Sequence, residues 1–240
     1  MSYKTTIDIF RKYFQRQIDV TRKTINKIDL PNQPFVTISR LAGAGEVQFP
    51  VKLINTLIKK DKEAKENWIY FDKDILEVVL EEHNLPQEIS RFMPENKISE
   101  IQDVLEQLFG LHPSEHKLIK KISETILHLS NLGNVVFVGR GSNIITKYNK
   151  NGIHLRLVSS LENRITNIQK FFKLSKNASI KLIQKDDKER AAYIKKYFNK
   201  DINSPLLYTL IINFDMISVD DALELISDEV IKIRSRINRK

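Results

Sequence analysis

Short apolar runs rich in β-branched residues alternate with helical stretches along most of this chain, and that rhythm constrains the fold more than any other feature. Five strand candidates stand out: Phe35-Val36-Thr37-Ile38-Ser39, Trp68-Ile69-Tyr70-Phe71, Asn134-Val135-Val136-Phe137-Val138, Ile153-His154-Leu155-Arg156-Leu157-Val158 and Leu207-Tyr208-Thr209-Leu210-Ile211-Ile212. Helices are expected between them. One runs from about Phe49 to Lys60 and another over 73–83. A third is lined by Ile101, Leu105 and Leu108, and a fourth by Leu118, Ile122, Ile126 and Leu129. Basic helices follow over roughly 161–199, opened by Ser159 and Glu162 as a capping box. Ser218 and Asp221 start a last helix that is expected to bury Ala222, Leu225, Ile226 and Val230. Strands separated by helices pair in parallel, and a parallel sheet must be covered on both faces. The expected architecture is a three-layer α/β/α domain.

That domain is expected over residues 34–230. Residues 1–30 read as a separate amphipathic helix, because Ile7, Phe10, Phe14, Ile18, Thr21, Ile25 and Ile28 recur at spacings of three and four. Its stripe suits packing on the domain or on a second copy of the chain, a homodimer. Binding to a membrane surface is the alternative. Pro31 and Pro34 stop that helix and mark the boundary. Residues 231–240 read as a basic tail. With 240 residues, 41% of them apolar, the chain can fill a core. It has no cysteine, which excludes disulfides, thiolate metal sites and a cysteine nucleophile. No apolar run approaches the roughly 18 residues of a membrane span. A soluble, cytoplasmic protein is the expectation.

The formal charge of +9 invites a nucleic-acid reading, and its distribution argues against one. Residues 1–29 carry a net +4 and residues 231–240 a net +5, so the body between them is neutral. Within that body, residues 170–200 hold ten Lys/Arg and three acidic residues, a net +7. One strongly basic segment in a neutral domain resembles an anion site more than a broad nucleic-acid footprint.

The strand at Phe35 runs into Arg40-Leu41-Ala42-Gly43-Ala44-Gly45-Glu46-Val47-Gln48 and then a helix. A strand, a glycine turn and a helix N-terminus together make a phosphate cradle, with backbone N–H groups turned to the anion. The same three elements also make an ordinary strand-to-helix turn. Further segments follow in order: Tyr70-Phe71-Asp72-Lys73-Asp74-Ile75-Leu76, then Val135-Val136-Phe137-Val138-Gly139-Arg140-Gly141, then Asp186-Asp187-Lys188-Glu189-Arg190-Ala191-Ala192-Tyr193, with Leu210-Ile211-Ile212-Asn213 and Ser218-Val219-Asp220-Asp221-Ala222 after it.

In that order and spacing, the chain resembles the cytidylate kinase-like family of P-loop nucleoside monophosphate kinases across roughly residues 34–230. The resemblance implies five parallel strands, a phosphate loop after the first, and a basic helical lid over about 170–200. It implies ATP and Mg2+ as cofactors and nucleotides as partners. By position it implies that Arg40, Gly43, Ala44 and Gly45 hold the nucleotide phosphates. Asp72, Arg140, Arg164 and Asp187 would hold the acceptor, and Arg140, Lys185, Lys188 and Arg190 would surround the transferring phosphoryl group. Arginine suits such work, since its planar fork bonds phosphate at two points and stays charged.

The departures are at the loop. Glu46 stands where a phosphate lysine is usual, with Val47 and Gln48 where small or hydroxyl residues are usual. A carboxylate about 4 Å from a phosphate oxygen is repelled by roughly 4 kcal/mol at an effective dielectric of about 20, unless it turns to solvent. Two function classes therefore stay open: phosphoryl transfer from ATP to a nucleoside monophosphate such as CMP, or a catalytically degenerate nucleotide-binding or interaction module. Nucleic-acid or anionic-membrane binding through the basic ends is a third and lesser reading. His112 and His116 have helical spacing, but Pro113 and Ser114 between them and the lack of a third ligand argue against a metal pair. His154 reads as structural.

Overall fold

In the computed structural model the described residues are 33–64, 67–72 and 115–239. The helices expected over 1–30, over 73–83 and around Ile101, Leu105 and Leu108 lie outside them. Chain order is β1 (Phe35–Arg40), α1 (Phe49–Lys60), a 3-10 turn (Lys62–Ala64), β2 (Ile69–Phe71), α2 (Glu115–Leu132), β3 (Val135–Val138) and α3 (Ser142–Ile145). Then come β4 (Gly152–Val158), α4 (Leu161–Phe172), α5 (Lys176–Phe198), a second 3-10 turn (Pro205–Leu207), β5 (Leu210–Asn213) and α6 (Val219–Asn238). All strand pairs are parallel, in the order β2-β3-β1-β4-β5.

β1, β2 and β3 each feed two cores, because successive side chains point to opposite faces. Val36, Ile38, Val136, Val138, Ile153, Leu155 and Leu157 pack with Phe49, Leu53 and Leu57 of α1 and Ala222, Ile226 and Val230 of α6. Phe35, Phe71, Val135 and Phe137 turn the other way, onto Ile122, Ile126 and Leu129 of α2 and Tyr193 and Ile194 of α5. These are the three layers. A satellite cluster of Ala42, Ile165, Ile168 and Ile183 joins α4 and α5 to the turn after β1. No helix among the described residues is long and apolar enough to cross a membrane.

Four local expectations need correction. The fifth strand starts at Leu210, because Pro205 sets a 3-10 turn closed by the Tyr208 N–H to the Pro205 carbonyl. The cap of α4 is Ser160, whose hydroxyl accepts from the Asn163 N–H. Ser159 instead donates to Asp215, whose carboxyl is pushed down to about 2 by that bond and by the Asn163 amide. In α6, Leu223 is buried and Leu225 exposed, since Leu225 lies about a third of a turn off the stripe of Ala222, Ile226 and Val230. The segment expected to be a basic tail from residue 231 continues α6 to Asn238 and buries Ile233 and Arg234.

Arg234 has a structural reason to be there. Its guanidinium donates to Asp61 Oδ2 at 2.7 Å, to Asn134 and to Gln33, and Trp68 Nε1 donates to the same Asp61 oxygen at 2.7 Å. Asp61 and Arg234 are both almost fully buried. This network ties the ends of α1 and α6 to the N-terminal edge of the sheet. Removing one partner of such a pair leaves a buried charge uncompensated, at about 3–5 kcal/mol. Arg234→Ala is therefore expected to lower unfolding free energy by that order in denaturant titration. A change under about 1 kcal/mol, as for a solvated tail residue, would refute the network's role.

Candidate active site: an arginine-lined cleft beside a glycine turn

Parallel strands end on one edge, and the β1, β2 and β3 ends there border a cleft of about 470 Å³ of empty space, part of it open to solvent. Ser39, Arg40, Asp72, Arg140, Asn143 and Arg190 supply its polar lining, with Tyr193, Ile194 and Ile202 on the apolar side. Arg40 ends β1 and pairs with Asp72 across 3.3 Å. Arg140 follows β3 between two glycines, in the left-handed region at φ 55°, and is 3% exposed. Arg190 comes from α5. It pairs with Asp186 at 3.1 Å and donates to the Arg40 carbonyl at 3.2 Å, which docks the helix on the strand end.

Gly43, Ala44 and Gly45 lie outside this cleft lining. Their turn is closed by the Ala44 N–H to the Leu41 carbonyl and packs against α4 and Phe214. Both glycines have positive φ, and a Cβ on Gly43 would sit 2.7 Å from the Arg164 carbonyl oxygen. A Cβ on Gly45 would sit 2.5 Å from the Phe214 ring. Close packing alone thus explains why glycine is needed at both positions. The Asn167 amide donates to the Gly43 and Gly45 carbonyls at 3.0 and 3.1 Å. With the Gly45 carbonyl held there, the Glu46 N–H of the same trans peptide points away from α4.

Asp187 acts on the loop itself. Its carboxylate accepts the Ala42 N–H at 2.7 Å and pairs with Arg164, which also donates to the Ala42 carbonyl at 3.3 Å. Glu46 pairs with Lys52 one turn into α1, so the repulsion expected from it is drawn off the loop. Lys185 and Lys188 are exposed, Lys185 lying 3.9 Å from Glu189, and neither lines the cleft. The structure therefore brings Arg40, Asp72, Arg140 and Arg190 together, and gathers Arg164 and Asp187 at the glycine turn instead.

Beneath the cleft lies a polar stripe whose members, apart from the structural His154, were not singled out from sequence. On the α2–α5 face, β1 and β4 present Thr37 beside His154 and Ser39 beside Arg156. Sheets buried on both faces ordinarily carry apolar residues there. The signal was available as polar residues at every second position of Phe35–Arg40 and Gly152–Val158. Burial pushes His154 down to about 4, and the Thr37 hydroxyl lies 2.9 Å from its Nδ1. Burial likewise lowers Arg156, aided by the nearby Arg190 and Arg164 cations and opposed by Tyr208 and Asp187.

The cytidylate kinase-like family matches residues 35–216. The chain belongs to that family. It is accordingly a nucleotide kinase-like protein of P-loop type. Among solved structures, an uncharacterized protein from Eubacterium ventriosum shares 16% identity at TM-score 0.59, covering 83% of this chain and 99% of its own, which shows a common fold. Shikimate kinase from Bacteroides thetaiotaomicron is a weaker likeness, with 11% identity at TM-score 0.43 over 82% of this chain and 98% of its own. No curated protein matches the chain.

Within this cytidylate kinase-like domain, His154 is a neutral group held in the sheet. In the unfolded chain it titrates near its ordinary value of 6.5, so acid protonates the unfolded state first. Its contribution to stability is whole above pH of about 6.5 and is lost as pH falls toward about 4. Between pH 7 and 5 the expected loss from this group is about 2 kcal/mol. Denaturant titrations of parent and His154→Gln at both pH values measure it. An equal pH dependence in the two proteins would contradict the assignment.

Proposed function

We propose that the chain transfers a phosphoryl group from ATP to a nucleoside monophosphate such as CMP, with the arginine-lined cleft as the acceptor site. One observation carries this reading: Arg40, Arg140 and Arg190 converge on one cleft whose only lining carboxylate among the described residues is Asp72. Arg40 is paired with Asp72 and Arg190 with Asp186, and the guanidinium forks that line the cleft match phosphate oxygens. Phosphoryl transfer needs alignment and cations around the equatorial oxygens more than covalent help. The bond from Arg190 to the Arg40 carbonyl, which holds α5 at the strand end, supports this reading. Arg140, set between Gly139 and Gly141 in a run of positive φ, also lines the cleft.

When bound, ATP supplies the phosphoryl group. The glycine turn at the end of β1 is where the family resemblance puts its phosphates, and the Glu46–Lys52 pair draws off a carboxylate that would oppose them. At the loop Val47 and Gln48 offer no hydroxyl to a magnesium ion, and the Glu46 carboxylate, which could hold one, is paired with Lys52. Among the described residues no cluster of three acidic or histidine side chains could hold a metal either. A coupled ADP-release assay with magnesium and a panel of monophosphates tests the proposal. Parent turnover should exceed that of Arg140→Ala by about a hundredfold or more, the effect of removing one transition-state donor. Turnover equal to that control on every acceptor would sink it.

The Asp187 contact favours a second reading, a degenerate nucleotide-binding or interaction module. A carboxylate already holds the Ala42 N–H and Arg164, the groups a phosphate would use. On this reading Asp187→Ala or Glu46→Lys raises ATP affinity in calorimetry about tenfold or more over a parent with little or none. Tight and equal ATP binding in parent and variants would count against it.

A further inference from the structure

Three arginines of the described residues are nearly fully buried, Arg140, Arg156 and Arg234, and the last two differ in their partners. Arg234 has Asp61. Arg156, 4% exposed, has only neutral hydrogen-bond acceptors among the described residues. Its Nη1 donates to Ser39 Oγ at 2.8 Å and its Nη2 to Asn203 Oδ1 at 3.2 Å, while its Cζ lies 5.9 Å from the centre of the Tyr208 ring. A buried cation without a carboxylate costs several kcal/mol unless something else compensates it.

The protons at Ser39 can be counted. Tyr208 has one hydroxyl hydrogen, and its oxygen lies 2.6 Å from the Ile202 carbonyl and 3.4 Å from Ser39 Oγ. A carbonyl only accepts, so that hydrogen goes to Ile202. Ser39 Oγ accepts from Arg156 and keeps its own hydrogen. The Tyr208 oxygen at 3.4 Å is a long partner for it, beyond the usual range of about 2.5–3.0 Å. The other direction open to a residue that lines the cleft is the cleft itself, between Arg40 and Arg190.

We infer that Arg156 is a positioning residue for the cleft's ligand, acting through Ser39, which it turns into a hydroxyl donor aimed at a phosphate monoester. The inference rests on the proposed acceptor site and adds two residues to it. Arg156 supplies charge from beneath and Ser39 the contact. Ligand phosphate is then a close counter-charge for a buried guanidinium that otherwise feels only the Asp187 carboxylate, with no hydrogen bond to it, which distinguishes this arrangement from a polar brace that merely holds Asn203 and Tyr208 in place.

Calorimetry with CMP, and with cytidine as the phosphate-free probe, tests it on Ser39→Ala, Arg156→Met, Arg156→Lys and, as a reference for the cleft, Arg190→Ala. Ser39→Ala and Arg156→Met are each expected to weaken CMP binding about tenfold or more and to leave cytidine unchanged. Arg156→Lys keeps the charge without the fork and should fall between parent and Arg156→Met. Inorganic phosphate should raise the parent's unfolding temperature and fail to raise that of Arg156→Met. If Arg156→Met does not fold, Ser39→Ala and Arg156→Lys decide. CMP affinity within about twofold of parent in the Ser39 and Arg156 variants, with Arg190→Ala weakened, would overturn the inference and leave the acceptor site standing. No CMP binding by the parent would overturn both.

Discussion

Five parallel strands end on the same edge of the sheet, and nearly everything notable about this protein follows from that constraint. A parallel strand cannot be joined to the next by a tight turn, so each return is made over a face of the sheet. The C-terminal ends of β1, β2 and β3 then lie side by side, although Arg40, Asp72 and Arg140 are far apart in the chain. With β1 at the centre, its two neighbours bring Arg140 from one side and Arg156 from the other. The opposite edge carries no such cleft lining; there Asp61, Trp68, Asn134 and Arg234 lock helix ends to the sheet.

The two edges spend buried charge differently. At the N-terminal edge, Arg234 meets a carboxylate and two further polar partners, a network whose consequence is stability. At the C-terminal edge, Arg40, Arg164 and Arg190 each have a carboxylate, whereas Arg156 is surrounded by a hydroxyl, an amide and an aromatic face. The guanidinium without a hydrogen-bonded carboxylate, Arg156, thus lies buried beneath the edge where the sheet opens to solvent. The net +7 of residues 170–200 contributes less than its size suggests. Lys185 and Lys188 face solvent, and Arg190 reaches the cleft with Asp186 attached. Asp186 and Glu189 pair with cations of the segment itself, whereas Asp187 turns to Arg164 outside it.

Family membership and the position of Arg140 between Gly139 and Gly141 were legible from local sequence, since a strand end, a turn and a charged residue are all short-range features. The extents of α1 and β3 followed equally well from apolar periodicity. What misled were places where a distant residue overrides a local signal. Ser159 resembles a cap, yet Asp215, brought in by β5, takes its hydroxyl and leaves Ser160 to close the helix. Residues 231–240 look like a solvated basic tail, yet Asp61 turns Arg234 inward. The polar side chains Thr37, Ser39, His154 and Arg156 were visible in alternation, but only strand pairing shows that they form one stripe.

By itself, then, the sequence determined the layered α/β class, the family and the strand-end position of Arg40, Asp72 and Arg140, because periodicity and turn chemistry act over a few residues. Tertiary structure alone decided how the charges are spent. It directed Glu46 to Lys52, Asp187 to the glycine turn and Arg190 to the cleft, and it left Arg156 without a carboxylate. Coulomb and hydrogen-bond energies depend on separation in space at the scale of a few ångströms. Asp187 and Ala42 reach that distance across 145 residues of chain, which no local pattern encodes.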